Sequence, residues 1–573
     1  MLQTLTTPRG ETLSGTPWQV YPRPQMRRDS YINLNGEWDF AVSSEKPATF
    51  DMGITVPFCP ESRLSGIGRH FEEGAPLWYR RKFVLPEGFR RERVLLHIGA
   101  ADQTAEVFVN GQHLCRHEGG YASFSVDITE ALAEENELVI RCTDDLRDQA
   151  FPYGKQVRNR GGMWYTPVSG IWQTVWLESV PEAYIEKLNI ENHGASVTIS
   201  TVPPLEGTVN VEQLGQFSLE NGRVTIAPEN PRFWCPDDPY LYRFALETAQ
   251  DRVESYFAIR SLEIKKVGKY PRLCLNGKPW FFHGLLDQGY WPEGLLTAPA
   301  PESYADDILA MKRLGFNTLR KHIKVEPEEF YYQCDRLGMI VWQDMVNNGS
   351  YRYFQDTVLP TVGIQKRNDR CLHRDERSRN AFRQGAADAV NQLKNHPCIC
   401  YWTIFNEGWG QFDSDRVCRW FRALDATRFI DTTSGWFRGK NTDVDSRHQY
   451  FGKLRLKGDG LRPLVLSEFG GKTWRVEGHI FNPDKTYGYG ACPTKEALNE
   501  AVATLYRESI LPAVEKGLCA AIYTQVSDVE DEVNGLMTYD RRVVKPDGDT
   551  MLPIAQALRD AMEKTVASFE KMG

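Results

Sequence analysis

Three regimes of hydrophobic patterning follow one another along the chain of 573 residues. Over residues 1–183, short apolar or alternating runs recur: EWDFAV, WYRRKFVL, RVLLHIG, TAEVFVNGQHL, ELVIRCTD and IWQTVWLESV. Period-two alternation places one face of a strand on a core, and Asn110-Gly111 between two such runs is a hairpin signal. Strands in this number with few helical periods predict a β jelly-roll sandwich. Residues 184–264 continue in shorter runs (ASVTISTV, GTVNVEQL, YLYRFALETA), with the spacing of an immunoglobulin-like β-sandwich. From residue 265 apolar strands alternate with helical stretches. The predicted strands are 280–287, 316–322, 339–345, 398–407, 428–435, 447–452, 463–471 and 520–528. Eight strands with helices between them predict a (β/α)8 TIM barrel over 265–573. The rival, a doubly wound sheet, lacks a Gly-rich phosphate turn after its first strand.

Charge and composition narrow the function. The net charge is -8, with a pI near 5.9, which argues against nucleic acid as partner. No apolar stretch is long enough to span a membrane, and MLQTLTTPRGETLSG has no signal-peptide core, so a cytoplasmic address is expected. The twelve cysteines show no CxxC or Cys/His metal spacing and read as reduced, buried thiols. Aromatic residues make up 12% of the chain, which suits a well-filled core and also suits stacking against pyranose rings.

In a barrel, chemistry gathers at the C-terminal strand ends. The polar residues there are Asp287, Arg320, His322, Asp344, Asn406, Glu407, Tyr450, Glu468 and Asp528. Glu407 ends CICYWTIFNE and Glu468 ends PLVLSEFGG, each at the tip of an apolar run. Two carboxylates at strand ends suit glycoside hydrolysis, in which retaining enzymes hold them about 5–5.5 Å apart and inverting ones about 6.5–9.5 Å apart. Either glutamate alone reads equally as a rim ion pair. Phe405 and Trp409 flank Glu407, and an apolar surrounding raises a carboxyl pKa. Asn406 reads either as a cap of the turn after its strand or as a ligand of a hydroxyl, and Tyr450 equally as core or as support for a carboxylate; Asp287, Trp291, Trp409 and Tyr523 are candidate pocket walls, with core packing the default for the tryptophans.

These residues bring out a resemblance. LNGEWDF, VFVNGQHLCRHEGGYASFSVDIT and SGIWQTVWLESVP, then YFAIRSLEI after FWCPDDPYLY, then LNGKPWFFHG, LGFNTLRKH, CDRLGMIVWQDM, NHPCICYWTIFNEGWG and PLVLSEFGG occur in the order of glycoside hydrolase family 2. The chain resembles that family of β-galactosidases, β-glucuronidases and β-mannosidases over nearly its whole length. The resemblance implies that Glu407 is the acid/base, Glu468 the nucleophile, Asn406 a ligand of the substrate 2-hydroxyl and Tyr450 a support for Glu468. It also implies retention through a covalent glycosyl-enzyme.

Departures bear on the sugar. The family's Arg-x-Ser-His run is replaced by Arg320-Lys321-His322-Ile323, and Tyr523 stands where a Trp is usual. The Asn-x-Lys signature for a glucuronic acid carboxylate is not evident; Asn534 is followed by Gly535 and Leu536, so Lys321, Lys324 or Arg541 would have to serve an acid. The expectation is a retaining exo-acting glycosidase, first a β-galactosidase, with β-glucuronidase or α-L-arabinopyranosidase as alternatives. The other classes are a carbohydrate-binding protein without catalysis and an unrelated barrel enzyme using metal or phosphate. The partner is an oligosaccharide or glycoside, with neither nucleic acid nor membrane, and a homo-oligomer (dimer or tetramer) is compatible. No cofactor is required by this chemistry, and the sequence does not specify a divalent metal.

Overall fold

The computed structural model describes residues 2–359, 364, 368–437, 439–450, 454 and 456–570. The first module is a sandwich. A six-stranded sheet, ordered 52–56, 36–42, 77–83, 136–143, 104–109 and 112–118, faces a four-stranded sheet ordered 31–33, 175–180, 93–98 and 124–127. Their inward residues, among them Trp38, Phe40, Tyr79, Leu96, Val107 and Ile140, form one core. A second, smaller sandwich pairs the sheet 187–192, 197–202, 223–226 with the sheet 215–219, 207–211, 242–248, 252–257. Arg28 joins the two modules: its guanidinium donates to Glu178 (3.2 Å) in the first and to Asp251 (2.7 Å) in the second.

The barrel strands are β1 (Phe282–Asp287), β2 (Thr318–Lys321), β3 (Ile340–Asp344), β4 (Ile399–Asn406), β5 (Phe429–Ser434), β6 (Asp445–Gln449), β7 (Leu464–Phe469) and β8 (Leu518–Tyr523). All paired neighbours are parallel, in the order β5-β4-β3-β2-β1-β8-β7-β6. The ring is nearly closed. Across the seam between β5 and β6, Asp443 N donates to Ile430 O at 2.9 Å, and the Ser434 and Ser446 hydroxyls lie 3.3 Å apart. The expected sixth strand ran to residue 452; residues 451 and 452 lie outside the described residues.

Every residue of β4 is buried, because helices cover one face and barrel side chains fill the other. Helix α1 (Glu302–Arg313) follows β1, α2 (Glu328–Leu337) follows β2, α3 (Glu376–Leu393) follows β3, α4 (Ser414–Leu424) follows β4, and α5 (Lys495–Leu505) precedes β8. Helix α3 starts where the Asp375 carboxylate accepts from the amides of Arg377 and Ser378, a cap worth about 1 kcal/mol. A final helix, α6 (Gly548–Glu570), which the sequence pattern did not single out, packs after β8 with Met551, Ile554, Leu558 and Met562 inward.

Two features beyond the expected outline shape the barrel. A hairpin over 262–275 joins the short strand 278–279 before β1, and its Arg272 donates to the carbonyls of Val514 and Leu518 beneath β8. The first residues of the chain lie on the barrel rather than on the sandwich that follows them. The Thr7 amide donates to Glu293, and the Trp18 indole N–H to Ala298 O at 2.9 Å. No described helix is long and apolar enough to cross a membrane.

Candidate active site

The C-terminal ends of the strands converge on one guanidinium. Arg320, at the end of β2, is fully buried and donates in four directions. Nε donates to Asp344 at 3.0 Å, Nη1 to Glu468 at 2.9 Å and to Ser467 O at 3.0 Å, and Nη2 to the Asn406 Oδ1 at 2.8 Å. The fork thereby orients three other strand ends at once. Because Asn406 Oδ1 accepts from Arg320, its amide NH2 faces away from that cation, and no protein acceptor takes it among the described residues.

The path of the chain at Glu407 explains the placement of the first carboxylate. Strand alternation would send residue 407 outward beside Phe405, whose ring stacks on Phe382 of α3 at 4.9 Å. Instead Glu407 adopts a left-handed φ of 52°, at a backbone cost of about 1–2 kcal/mol for a residue with a Cβ. Gly408 follows at 78°, where a Cβ would sit 2.1 Å from the Phe437 ring. The turn brings Glu407 to 2.7 Å from His448 Nδ1 on β6, with 17% of its side chain exposed. The polar partner of Glu407 is therefore an imidazole. The apolar cage anticipated from Phe405 and Trp409 is not what it meets: Phe405 packs outward, and the Trp409 indole donates to Gly349 O.

Glu468 is only 4% exposed. Burial opposes its ionisation, but the imidazole of His448, the guanidinium of Arg320, the ring of His322 and the hydroxyl of Tyr450 outweigh burial and hold its pKa at about 2. Tyr450 donates directly to Glu468, and its ring stacks on Tyr489 at 4.0 Å. Asp344 ties this arrangement to His322, whose Nδ1 lies 2.7 Å away. Burial would raise Asp344, but Arg320 and His322 keep it below the usual carboxylate range.

His448 was not among the residues singled out in the sequence. Its Nδ1 touches Glu407, its Nε2 lies 3.6 Å from Glu468, and Ser434 and Arg320 contact the same nitrogen at 3.1 and 3.3 Å. A signal for it existed. In a strand, the residue two positions before Tyr450 shares its face, so a Tyr450 turned toward Glu468 implies the same for His448. Glu407, His448 and Glu468 offer atoms within 4.8 Å of one another, the one group with metal-ligand spacing among the described residues.

Other anticipated wall residues lie elsewhere. Trp291 is 2% exposed and sits beneath the Arg541 guanidinium at 4.0 Å, so it is core. Tyr523 is 1% exposed, and its hydroxyl accepts from the Lys472 amide at 3.0 Å. Asp287 ends β1 but pairs with Lys321 at 2.7 Å. Asp528 is held by Lys545 at 2.6 Å. Trp409 is buried behind Trp164, with ring centroids 5.1 Å apart. Trp164, half-buried and carried by the first sandwich, packs edge-on against both Trp409 and Tyr351, a contact that sequence reasoning did not anticipate.

The depressed pKa of Glu468 has a stability signature. Its ordinary value is 4.5 and its folded value about 2, so the fold favours the ionised form above pH 4.5 and loses that advantage as pH falls toward 2. Glu468→Gln should melt below the wild type at pH 7, and the Tm gap should narrow between pH 5 and pH 3 by calorimetry. A gap independent of pH would show that the carboxylate is not held this way.

Two family models match. The one described as "Glycosyl hydrolases family 2, TIM barrel domain" covers residues 266–483, and "Glycosyl hydrolase 2 galactose-binding domain-like" covers 70–162. A β-galactosidase from Thermoanaerobacter pseudethanolicus is 24% identical, over 66% of this chain and 52% of its own length. A β-glucuronidase from Bacteroides fragilis is 23% identical, over 66% of this chain and 56% of its own. The chain thus spans about half the length of these curated relatives. The solved β-glucuronidase of an uncultured Clostridium species superposes with a TM-score of 0.71 at 18% identity, covering 95% of this chain and 100% of that one. With both models matched in order and the barrel ends built as described, the chain belongs to glycoside hydrolase family 2.

Proposed function

We propose that the protein is a retaining exo-acting β-glycosidase that releases a terminal hexuronic acid, a β-glucuronidase-type activity. The observation that carries the chemistry is the approach of Glu407 and Glu468 to within 4.8 Å at the ends of β4 and β7. That spacing suits direct attack by one carboxylate and leaves no room for a water between the two, as inversion requires.

The roles follow from the surroundings. Glu468, ionised and aimed by Arg320 and Tyr450, attacks C1. Glu407, more exposed and on the leaving-group side, gives its proton to the departing oxygen as the C1–O bond breaks. The glycosyl ester on Glu468 is then opened by water, whose proton returns to Glu407, and Glu468 leaves as carboxylate. The free NH2 of Asn406 donates to the 2-hydroxyl, where hydrogen bonding strengthens as charge develops on the ring.

The uronide reading draws on the Bacteroides fragilis relative and the Clostridium structure, both named β-glucuronidase. β-Galactosidase is the second reading, carried by the name of the Thermoanaerobacter relative. Chromogenic β-glucuronide, β-galacturonide, β-galactoside, β-mannoside and α-L-arabinopyranoside separate the two, with the highest kcat/KM expected on a uronide. Proton NMR of the first turnovers should show the β-anomer released first. Initial release of the α-anomer would sink the retaining mechanism.

A further inference from the structure

The loop over residues 150–166 of the first sandwich reaches across the barrel mouth. The Tyr153 and Gly154 amides donate to Asn347 O at 3.1 and 3.3 Å, and Lys155 O accepts from Tyr165 N at 3.0 Å. Gly154 has a φ of 63°, and a Cβ there would lie 3.0 Å from Ile323 O. The backbone is thus pressed against the residue that follows His322. On the other side, the Tyr165 hydroxyl donates to Glu532 at 2.5 Å, in the loop after β8.

Lys155, half-buried, is held between these two points. Its charge reaches both. After burial, Lys155 is the largest influence lowering His322, ahead of the His322 contact with Asp344. On Glu532, burial raises the pKa and Lys155 is the largest opposing influence. Yet the Lys155 ammonium forms no ion pair within 4.0 Å and no hydrogen bond among the described residues. Glu532 already accepts from Tyr165 and, at 2.9 Å, from Asn534.

Lys321, Lys324 and Arg541 of the barrel are already engaged. Lys321 is paired with Asp287 and Glu326. Lys324 donates to Gly289 O, Leu296 O and Glu326. Arg541 is held by Asp307 and Tyr539 O above Trp291. A half-buried ammonium with no countercharge is costly to the free protein and suits a ligand that brings one. His322 lies 4.0 Å from Glu468, and Gly154, next to Lys155 in the chain, packs against Ile323, next to His322.

We propose that Lys155 binds the carboxylate of the terminal hexuronic acid, so that the sandwich reads the sugar which the barrel cleaves. This rests on the uronide reading above and supplies its specificity residue. The test compares wild type, Lys155→Met and Lys155→Arg on nitrophenyl β-D-glucuronide, β-D-galacturonide, β-D-galactoside and β-D-glucoside. The ratio of kcat/KM on the better uronide to that on the better neutral hexoside should fall about 100-fold in Lys155→Met, the scale for losing a paired charge, and recover most of the way in Lys155→Arg. Lys155→Gln stands in if the Met variant does not fold. The methyl ester of the uronide should be a comparably poor substrate for the wild type. A wild type that cleaves uronides, with a ratio changed less than about threefold in Lys155→Met, overturns the role of Lys155 and leaves the uronide reading standing. A wild type that prefers neutral hexosides overturns both.

Discussion

Glu468→Gln should lower kcat/KM by on the order of 10⁵-fold or more, the scale seen when a covalent nucleophile is removed. The reason is electronic rather than steric. The glutamine fits the same space, but an amide oxygen bears no full charge to stabilise the developing positive charge at C1 and forms no stable ester. The surrounding groups sharpen the loss. Arg320 and Tyr450 both donate to the carboxylate, a preorganised field that an amide meets with only one oxygen. Rapid-quench measurement should find no burst of aglycone, and calorimetry should confirm a folded protein. Retention of more than about 1% of wild-type activity would mean that another group attacks.

Glu407→Gln should separate substrates by leaving group. With a phenyl or alkyl aglycone, which needs a proton as it departs, kcat/KM should fall about 10²- to 10⁴-fold, the usual contribution of a general acid. With a dinitrophenyl aglycone, the first step should stay within about tenfold of wild type, because the departing phenolate needs little help. Water then lacks its base, so the glycosyl-Glu468 ester should accumulate. Intact-protein mass spectrometry would detect it as a mass increase of one glycosyl unit. Azide, a nucleophile that needs no deprotonation, should restore turnover as a glycosyl azide. An equal loss on both substrates would remove Glu407 from the role of acid.

The two carboxylates were legible because each interrupts an apolar run. CICYWTIFNE is a buried strand up to its last pair, and β4 spans Ile399–Asn406. The run AAIYTQVSD overshot: β8 ends at Tyr523, and Thr524–Asp528 leave the ladder for the loop that carries Glu530, Asp531 and Glu532. Alternation alone could not place Glu407, since a left-handed residue breaks the period on which that reading depends. Histidine 322 appeared displaced by one position, yet Arg320 and His322 both engage Asp344, because residues two apart on a strand share a face. Lys321, Lys324 and Arg541 were the cations weighed for an acid in the absence of the Asn-x-Lys signature. Glu326 holds both lysines and Asp307 holds Arg541, and sequence alone does not show whether a cation is already engaged. Lys155 was overlooked for the converse reason: it sits some 250 residues before Glu407 in a different module, and only the docking of that module brings it to the mouth (407 − 155 = 252).

The contacts that dock the sandwich on the barrel (Tyr165 with Glu532, Arg160 with Asp531 at 2.9 Å, Thr166 N with Glu530 at 3.0 Å) come from the stretch that carries Trp164 and, just before it, Lys155. A sugar held by both modules is therefore a ligand of their association as well as of the active site. By linkage, saturating inhibitor should make the two modules unfold more nearly as one, with the gain growing as RT ln(1 + [L]/Kd). Conversely, any change that loosens this docking should raise KM, although both carboxylates remain in place on the barrel.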